Sequence, residues 1–524
     1  MDLIIGDLRV PVENDGAEEY LKIASEKLKT GLDDITLLKI LAKSLDTSDK
    51  EQFYWVLTVV VRLPETFQNK NNLLPYIENR IKESRPAALK ERPVVVGFGP
   101  AGMFAALELI SRGIEPVVFE QGKRIDERSL DIAKFFSERT LDTDSNIQFG
   151  EGGAGSYSDG KLFSRMSGNT DYMNKVMDTF IKFGAPEEIR YINKPHLGTD
   201  VLCGIVKNIR EYILSRGEIF YSSKVTDIIV SEGKALGVVV NGQREYLASK
   251  IYLAPGHSSR DMFELLENKG VAMERKPVSI GLRIEHPAEV IGLMRYGEKY
   301  KKFPAIGPAF YSFTHNSKIS RNVCSFCMCP GGEVLNASSE NGMLVTNGMS
   351  YSKRSSKFSN SALIAGCRTD DYSSAGPLAG VAFQREIEHK AFKAGGSGWK
   401  VPAQNLNDFL SGKVSSRLNE SSCRTGTSQA DLNAILPGFV SGALREALGA
   451  WKKDYPLFVS EHAVLLGAET RAVCPVRIKR RDNFESENTD NLYPVGEGSG
   501  YAGGITSSAI DAIKAVEASL AAAK

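Results

Sequence analysis

The sequence predicts an α/β chain built on one parallel sheet that is assembled from two distant pieces, with further α+β modules attached. Three observations predict it. Residues 94–102 read VVVGFGPAG, a valine-rich strand running into a glycine turn and a helix. Residues 496–505 read GEGSGYAGGI and precede an amphipathic stretch at the end of the chain. Between them, an alternating apolar meander leads to an apolar strand that ends in Ala254, Pro255, Gly256 and His257.

Taken in order, residues 1–63 form a small N-terminal α+β domain. A strand is expected over Leu8–Val12. A helix follows from the spacing of Ala17, Leu21, Ala24 and Leu28, and a hairpin from residues 35–45 and 53–61. No chemistry-bearing cluster lies there, so a packing or docking role is expected. Residues 64–92 are a polar, proline-bearing linker with one short helix near 76–83.

Residues 93–275 read as the first part of a Rossmann-like domain. Strand 93–96, helix 101–111, the stop at Gly113 and strand 116–119 fall in register. Gly97 permits the tight turn, Gly99 opens the backbone N–H groups to phosphate, and Gly102 lets helix and strand pack closely. Glu120 follows Gly97 by roughly 20 residues, the spacing of a carboxylate that accepts ribose hydroxyls. A diphosphate is expected on the helix N-terminus. Further on, Thr199 and Asp200 are expected to cap a helix reaching Arg216. Strands are expected over 219–229, 236–241, 244–246 and 250–253. Residues 276–464 form an inserted α+β substrate or cap domain with helices over 381–392 and 440–451. Residues 465–524 return to the cofactor domain. No second glycine fingerprint sits between a strand and a helix, since residues 376–380 lack the spacing, so no dedicated nicotinamide domain is expected.

Composition narrows the class. Of 524 residues, 42% are hydrophobic and 25% charged, ordinary values for a globular protein. The net charge of +1 gives no overall field toward nucleic acid or anionic membrane. The Lys479-Arg480-Arg481 run reads as a solvated loop rather than an anion site. The first residues carry no signal-peptide pattern, and the longest apolar run, 53–61, is too short to cross a bilayer. A cytoplasmic protein is expected. The seven cysteines are too sparse for a disulfide framework.

Several stretches resemble a known family. Besides 94–102 they are residues 148–161 (QFGEGGAGSYSDGK), 194–199 (KPHLGT), 324–332 (CSFCMCPGG) and 346–350 (TNGMS). Together the chain resembles the uncharacterised FAD-dependent (NAD/FAD-utilising) dehydrogenases, and is distantly similar to the wider glutathione reductase-like flavoproteins. The resemblance implies bound FAD and an oxidoreductase role without naming a substrate. It implies that Gly97, Gly99, Pro100, Ala101, Gly102, Glu120 and Gln121 form the dinucleotide cradle, with Arg128 near the adenosine or diphosphate. Gly152, Gly153, Ala154 and Gly155 would run beside the flavin. Val225, Ala254, Gly256 and Gly496 would complete the lining. Glu497 would take the ribityl chain where Asp is more usual, with Gly503, Gly504 and Ile505 facing the flavin.

Candidate catalytic groups are His257, which follows the small-residue turn, together with His196, Lys161 and Cys327. Ser156 and Asp159 are further candidates beside the flavin. Cys324, Cys327 and Cys329 read first as small buried thiols and second as a redox pair. Four metal ligands do not gather, so no metal site is expected. The leading expectation is hydride transfer between flavin and an unidentified small molecule, with NAD(P)H open as a transient donor. The alternatives are a flavin-dependent RNA-modifying enzyme and a non-enzymatic flavin-bound redox sensor.

Overall fold

The computed structural model describes residues 1–78, 89, 91–162, 170–318 and 320–521. Its central layer is a five-stranded, all-parallel sheet in the order 492–494, 251–253, 94–96, 117–119, 218–220. The first and last pieces of the chain thus meet two strands apart in one sheet. The four strands that carry Val94, Val117, Ile251 and Leu492 are buried at every position, which explains their unbroken apolar runs.

The period of two divides these strands between the two faces. Val95, Val118, Tyr252 and Tyr493 point to one face. There they pack against the helices Pro100–Ser111, Gly198–Leu214 and Ile505–Ala521. Val94, Val96, Val117, Phe119, Ile251, Leu253 and Leu492 point to the other, against the antiparallel meander Val225–Ser231, Lys234–Val240 and Arg244–Leu247. The single strand expected over 219–229 is therefore two. Glu218–Phe220 closes the parallel sheet, and the chain turns at 221–224 before entering the meander.

The insert is a seven-stranded sheet in the order 314–315, 323–329, 358–367, 278–287, 464–469, 401–405, 427–429. Its long helices Ala379–Ala394 and Gly438–Asp454 pack on this sheet and share its core. Val464–Glu469 pairs with Val278–Pro287 and Val401–Asn405. The boundary expected at 464/465 therefore cuts an insert strand, and the chain re-enters the cofactor layer after Glu469.

The N-terminal unit is a three-stranded sheet, with Asp2–Pro11 and Thr36–Asp46 on either side of Tyr54–Arg62, packed on the helix Ala17–Leu28. Its first strand starts earlier than expected because Leu3 and Ile5 also face the core. Phe53 leaves this unit and packs edge-on against Phe303, 5.0 Å between ring centres, anchoring it to the insert. Of the helix expected near 76–83, residues 76–78 are not helical and the rest lies outside the described residues. Among the described residues no helix is long and apolar enough to cross a membrane.

Candidate cofactor and active site

A deep cavity runs along the C-terminal edge of the parallel strands, where ligands bind in open α/β sheets. Its walls carry Gly97, Gly99, Pro100, Ala101, Glu120, Gln121, Gly153, Ala154, Gly155 and Val225 from the first part of the chain. Ala254, Gly256, Glu497, Gly503, Gly504 and Ile505 join them from the later segments. His257, Lys161 and Cys327 lie on the same walls. Residues far apart in sequence therefore meet around one space.

The turn at residues 97–102 has a steric reason. Gly97 has φ +93°, and a Cβ there would lie 2.3 Å from the carbonyl oxygen of Ala254. A Cβ on Gly102 would lie 1.9 Å from the carbonyl oxygen of Gly97, so helix and turn touch backbone to backbone. Gly99 differs, since its nearest neighbour to an added Cβ is Gly153 Cα at 3.7 Å. Beside Gly256, Gly503 and Gly504 an added Cβ would meet nothing within 4 Å. These positions leave a backbone-lined channel open to a ligand.

Glu120 does more than its spacing suggests. One carboxylate oxygen accepts the N–H of Phe98 at 2.8 Å. The other accepts those of Gly122 and Gly150, both at 2.9 Å. The acid thus ties the glycine turn to the loop 144–153 while lining the cavity, and acceptor capacity remains for ribose hydroxyls. Glu120→Gln replaces one acceptor oxygen with a donor that faces N–H groups. The expected result is about 1–3 kcal/mol lower stability, read by chemical denaturation, together with weaker flavin retention.

Some expected residues do not reach the cavity. Arg128 is fully buried and donates to the carbonyls of Asn146, Ile147, Gly150 and Glu151, with its guanidinium 4.7 Å from the centre of the Tyr157 ring. It shapes the loop and does not stand beside the adenosine or diphosphate space. Gly102, Gly152 and Gly496 lie behind the wall, where a side chain would strike Gly97, Ser156 or Ala101. Ser156 is buried under Gly152. His196 donates from Nε2 to the Ser352 carbonyl, 3.3 Å away, and is off the wall. Burial, with Arg354 nearby, lowers its pKa to about 4. It braces the segment beside Lys161. The helix expected to be capped by Thr199 and Asp200 starts at Gly198. Asp200 instead accepts the N–H and hydroxyl of Ser352 at 2.7 and 2.6 Å. Arg480 is held by Asp511 at 2.6 Å and lies over the Tyr501 ring, so it is committed within the protein.

One part of the cavity wall gathers groups from both domains. Phe326, Cys327, Asn347, Glu469 and Arg471 come from the insert and the strand that leaves it. Glu469 pairs with Arg283 at 2.9 Å and takes the Thr346 hydroxyl at 3.3 Å. Burial outweighs the Arg283 charge and raises the Glu469 carboxyl to about 7. Burial raises Glu497 to about 7 as well, against a weak 3.4 Å bond from the Gly504 N–H. Lys161 pairs with Asp159 at 2.9 Å, and Arg354 clamps the same carboxylate at 2.6 Å. Desolvation disfavours the Lys161 charge, but Cys327, Cys329 and Asp159 outweigh it and hold the ammonium protonated.

His257 is set by a relay. Arg471 donates to the Ser258 hydroxyl at 3.1 Å, and that hydroxyl is 3.2 Å from the Gln148 side-chain oxygen and 2.9 Å from His257 Nδ1. Burial first, then Arg471 and Arg260, lower its pKa to about 3. The unfolded imidazole takes a proton near pH 6.5, so between there and about 3 the unfolded chain binds the extra proton. Stability from this site is therefore full at neutral pH and falls on acidification. The His257 ring signals should show no titration in NMR from pH 8 down to 5.

Sequence reasoning missed Gln148, Asn347, Glu469 and Arg471 on the walls. Glu469 did leave a trace, as an acid closing the apolar run 464–468. Arg471 and its buried partner Glu388 left none, because they stand 83 residues apart.

A family model described as "FAD-dependent protein, C-terminal domain-like" matches residues 277–472. A protein of Clostridium beijerinckii, described only as uncharacterized, is 42% identical over 533 residues, spanning 99% of this chain and 98% of that one. The chain belongs to this family of FAD-dependent proteins. Similar solved structures include an FAD-dependent oxidoreductase of Pseudomonas aeruginosa (12% identity, 84% of this chain and 92% of that one, TM-score 0.37). A geranylgeranyl bacteriochlorophyll reductase-like protein of Thermoplasma acidophilum is another (11%, 82% and 77%, TM-score 0.34). The flavin-dependent brominase Bmp2 is a third (13%, 83% and 80%, TM-score 0.37).

The cofactor is FAD, and the donor set fits it. The cavity offers bare backbone at Gly99, Gly256, Gly503 and Gly504, a carboxylate at Glu120 for hydroxyl donors, and two helix N-termini that favour negative charge. Among the described residues no group of three or more His, Cys, Asp or Glu side chains is placed to hold a metal.

Proposed function

We propose that this FAD-dependent enzyme is an oxidoreductase that passes a hydride between the flavin and a small molecule held under the insert domain. One observation carries the reading. The cavity lined by the dinucleotide turn is lined also by titratable groups supplied by the insert, namely Cys327, Glu469 and Arg471, together with Lys161 and the N-terminus of the closing helix. FAD supplies two-electron transfer there.

The residues divide the remaining work. Gly99 and the N-terminus of helix 100–111 take diphosphate charge, and Glu120 takes hydroxyl donors. Gly503 and Gly504 open the closing helix, whose N–H groups and dipole favour a negative charge developing in front of them. Glu469, near 7, holds or releases a proton at neutral pH. His257 stays neutral, so it offers a hydrogen bond without bringing a charge. Arg471 fixes its Ser258 partner. Phe326, from the insert strand, adds an apolar ring to the cavity wall.

NAD(P)H enters this scheme as a transient donor, because the described residues hold one parallel dinucleotide-type sheet. The reading is tested by anaerobic titration of the purified protein with NADH and NADPH. Bleaching of the visible flavin band, and its return on adding a metabolite acceptor, is the expected result. A flavin that no nicotinamide or photochemical donor reduces would favour a sensor role instead.

A further inference from the structure

The insert strand Val323–Cys329 runs in regular register with Phe358–Cys367 as far as Phe326, then slips before Cys329. The slip places Cys327 in a left-handed conformation, φ +43°, where side chains other than glycine rarely sit. It turns Cys327 onto the cavity wall. Cys329 stays buried, with Sγ 3.4 Å from the Cys327 carbonyl oxygen. Arg283 reaches both residues, at 2.9 Å from that carbonyl and 3.5 Å from Cys329 Sγ. Cys324 lies in the regular part of the strand, opposite Ile364.

We propose that Cys327 and Cys329 are a dithiol–disulfide couple opening onto the cavity, whose substrate is a small-molecule disulfide. The proposal rests on the oxidoreductase reading for its electron supply. Strained backbone at a cavity wall, two thiols in one bulge and two cations beside them are the surroundings of a reactive thiol pair. The groups facing Cys327 are Lys161, Asp159, Arg283, Glu469, Glu497 and Cys329. A hydrogen bond from Cys329 outweighs burial and, with Lys161 and Arg283, holds Cys327 well below the ordinary thiol range. Cys329 is held well above it.

The Cys327 thiolate attacks one sulfur of the disulfide. A Cys327–sulfur bond forms, the substrate S–S bond breaks, and the first thiolate leaves, taking the Cys329 proton. The Cys329 sulfur then attacks Cys327 Sγ and expels the second thiolate, leaving a Cys327–Cys329 disulfide. FAD held along the same cavity would, when reduced, supply the hydride equivalent that returns the pair to one thiolate and one thiol.

The purified protein, with its flavin content measured, is incubated with glutathione disulfide, quenched in acid, alkylated and mapped by mass spectrometry. The expected peptide spanning both residues has lost two hydrogens, while Cys203 is recovered alkylated. In Cys329→Ser the second step is blocked, so glutathione should remain on Cys327. Lys161→Gln should slow the wild-type reaction several-fold at mildly acidic pH. Recovery of Cys327 and Cys329 as two thiols, or glutathione placed on Cys203 in preference, would overturn the proposal. Flavin bound to protein with both thiols unreactive overturns the couple and leaves the oxidoreductase reading standing. A couple that forms with glutathione disulfide but is not returned to thiols when the bound flavin is reduced supports the couple and removes that reading instead.

Discussion

Gly99→Asp is expected to fold like the parent and to lose FAD. Gly99 is the N-cap of helix 100–111, in extended backbone at φ −80° and ψ −173°. Asp is a favoured N-cap residue because its carboxylate accepts orphan N–H groups of the first turn. Space for its Cβ exists, since the nearest atom is 3.7 Å away. The same carboxylate occupies the helix N-terminus where the diphosphate charge would rest, and it repels that charge. The expected outcome is an unchanged or slightly raised melting temperature with flavin content more than about tenfold lower, an effect of a desolvated like-charge conflict. Gly102→Ala is the contrasting case. Its methyl group would collide with the Gly97 carbonyl oxygen, so flavin would be lost together with the fold.

Glu388→Ala is expected to be among the most destabilising single changes in the chain. Glu388 is fully buried between Arg260 and Arg471, at 2.7 Å from each, and also takes the Thr470 hydroxyl at 2.6 Å. Burial works against its charge, but the two guanidiniums outweigh burial and hold it well below the usual carboxylate range. Removing it leaves two buried guanidiniums with Glu340 as their remaining carboxylate. The cost of orphaning such a charge is about 3–5 kcal/mol, to be read by urea denaturation of the variant and parent. Because the folded pKa is depressed, the contribution of Glu388 is full above the unfolded carboxylate range, and it is lost as pH falls through the folded value. The difference between parent and variant should therefore shrink in strong acid. Arg471 also holds Ser258 beside His257, so the same change should loosen that relay.

Much of the lining of the candidate cofactor cavity was legible because the features that build it are local. A tight turn, a close helix–strand contact and an acid at a fixed spacing each leave a mark within a few residues, as Gly97, Gly102 and Glu120 do. The closing segment was legible for the same reason, through Gly503 and Gly504 ahead of an amphipathic helix. Arg128 was misplaced because a lone arginine carries no sign of whether it meets a ligand or four backbone carbonyls. His196 failed likewise, since a histidine after proline looks the same whether it faces a cavity or a carbonyl. The part of the wall to which the insert contributes was mostly illegible. Glu469, Arg471 and Asn347 reach it through tertiary contact between the insert and the first part of the chain. The bulge that turns Cys327 inward depends on register against Phe358–Cys367, which the sequence of one strand does not display.

The most direct measurement is the flavin stoichiometry of purified parent, Gly99→Asp and Gly503→Asp protein, with the released flavin identified as FAD. Gly503 accepts a side chain without steric conflict and lines the same cavity from the later segment of the chain. One FAD per parent chain, lost in both variants while each keeps its fold by circular dichroism, is the result expected if the two segments share one cofactor. A parent without FAD, or a Gly503→Asp protein that keeps full FAD with an unaltered flavin spectrum, would contradict it.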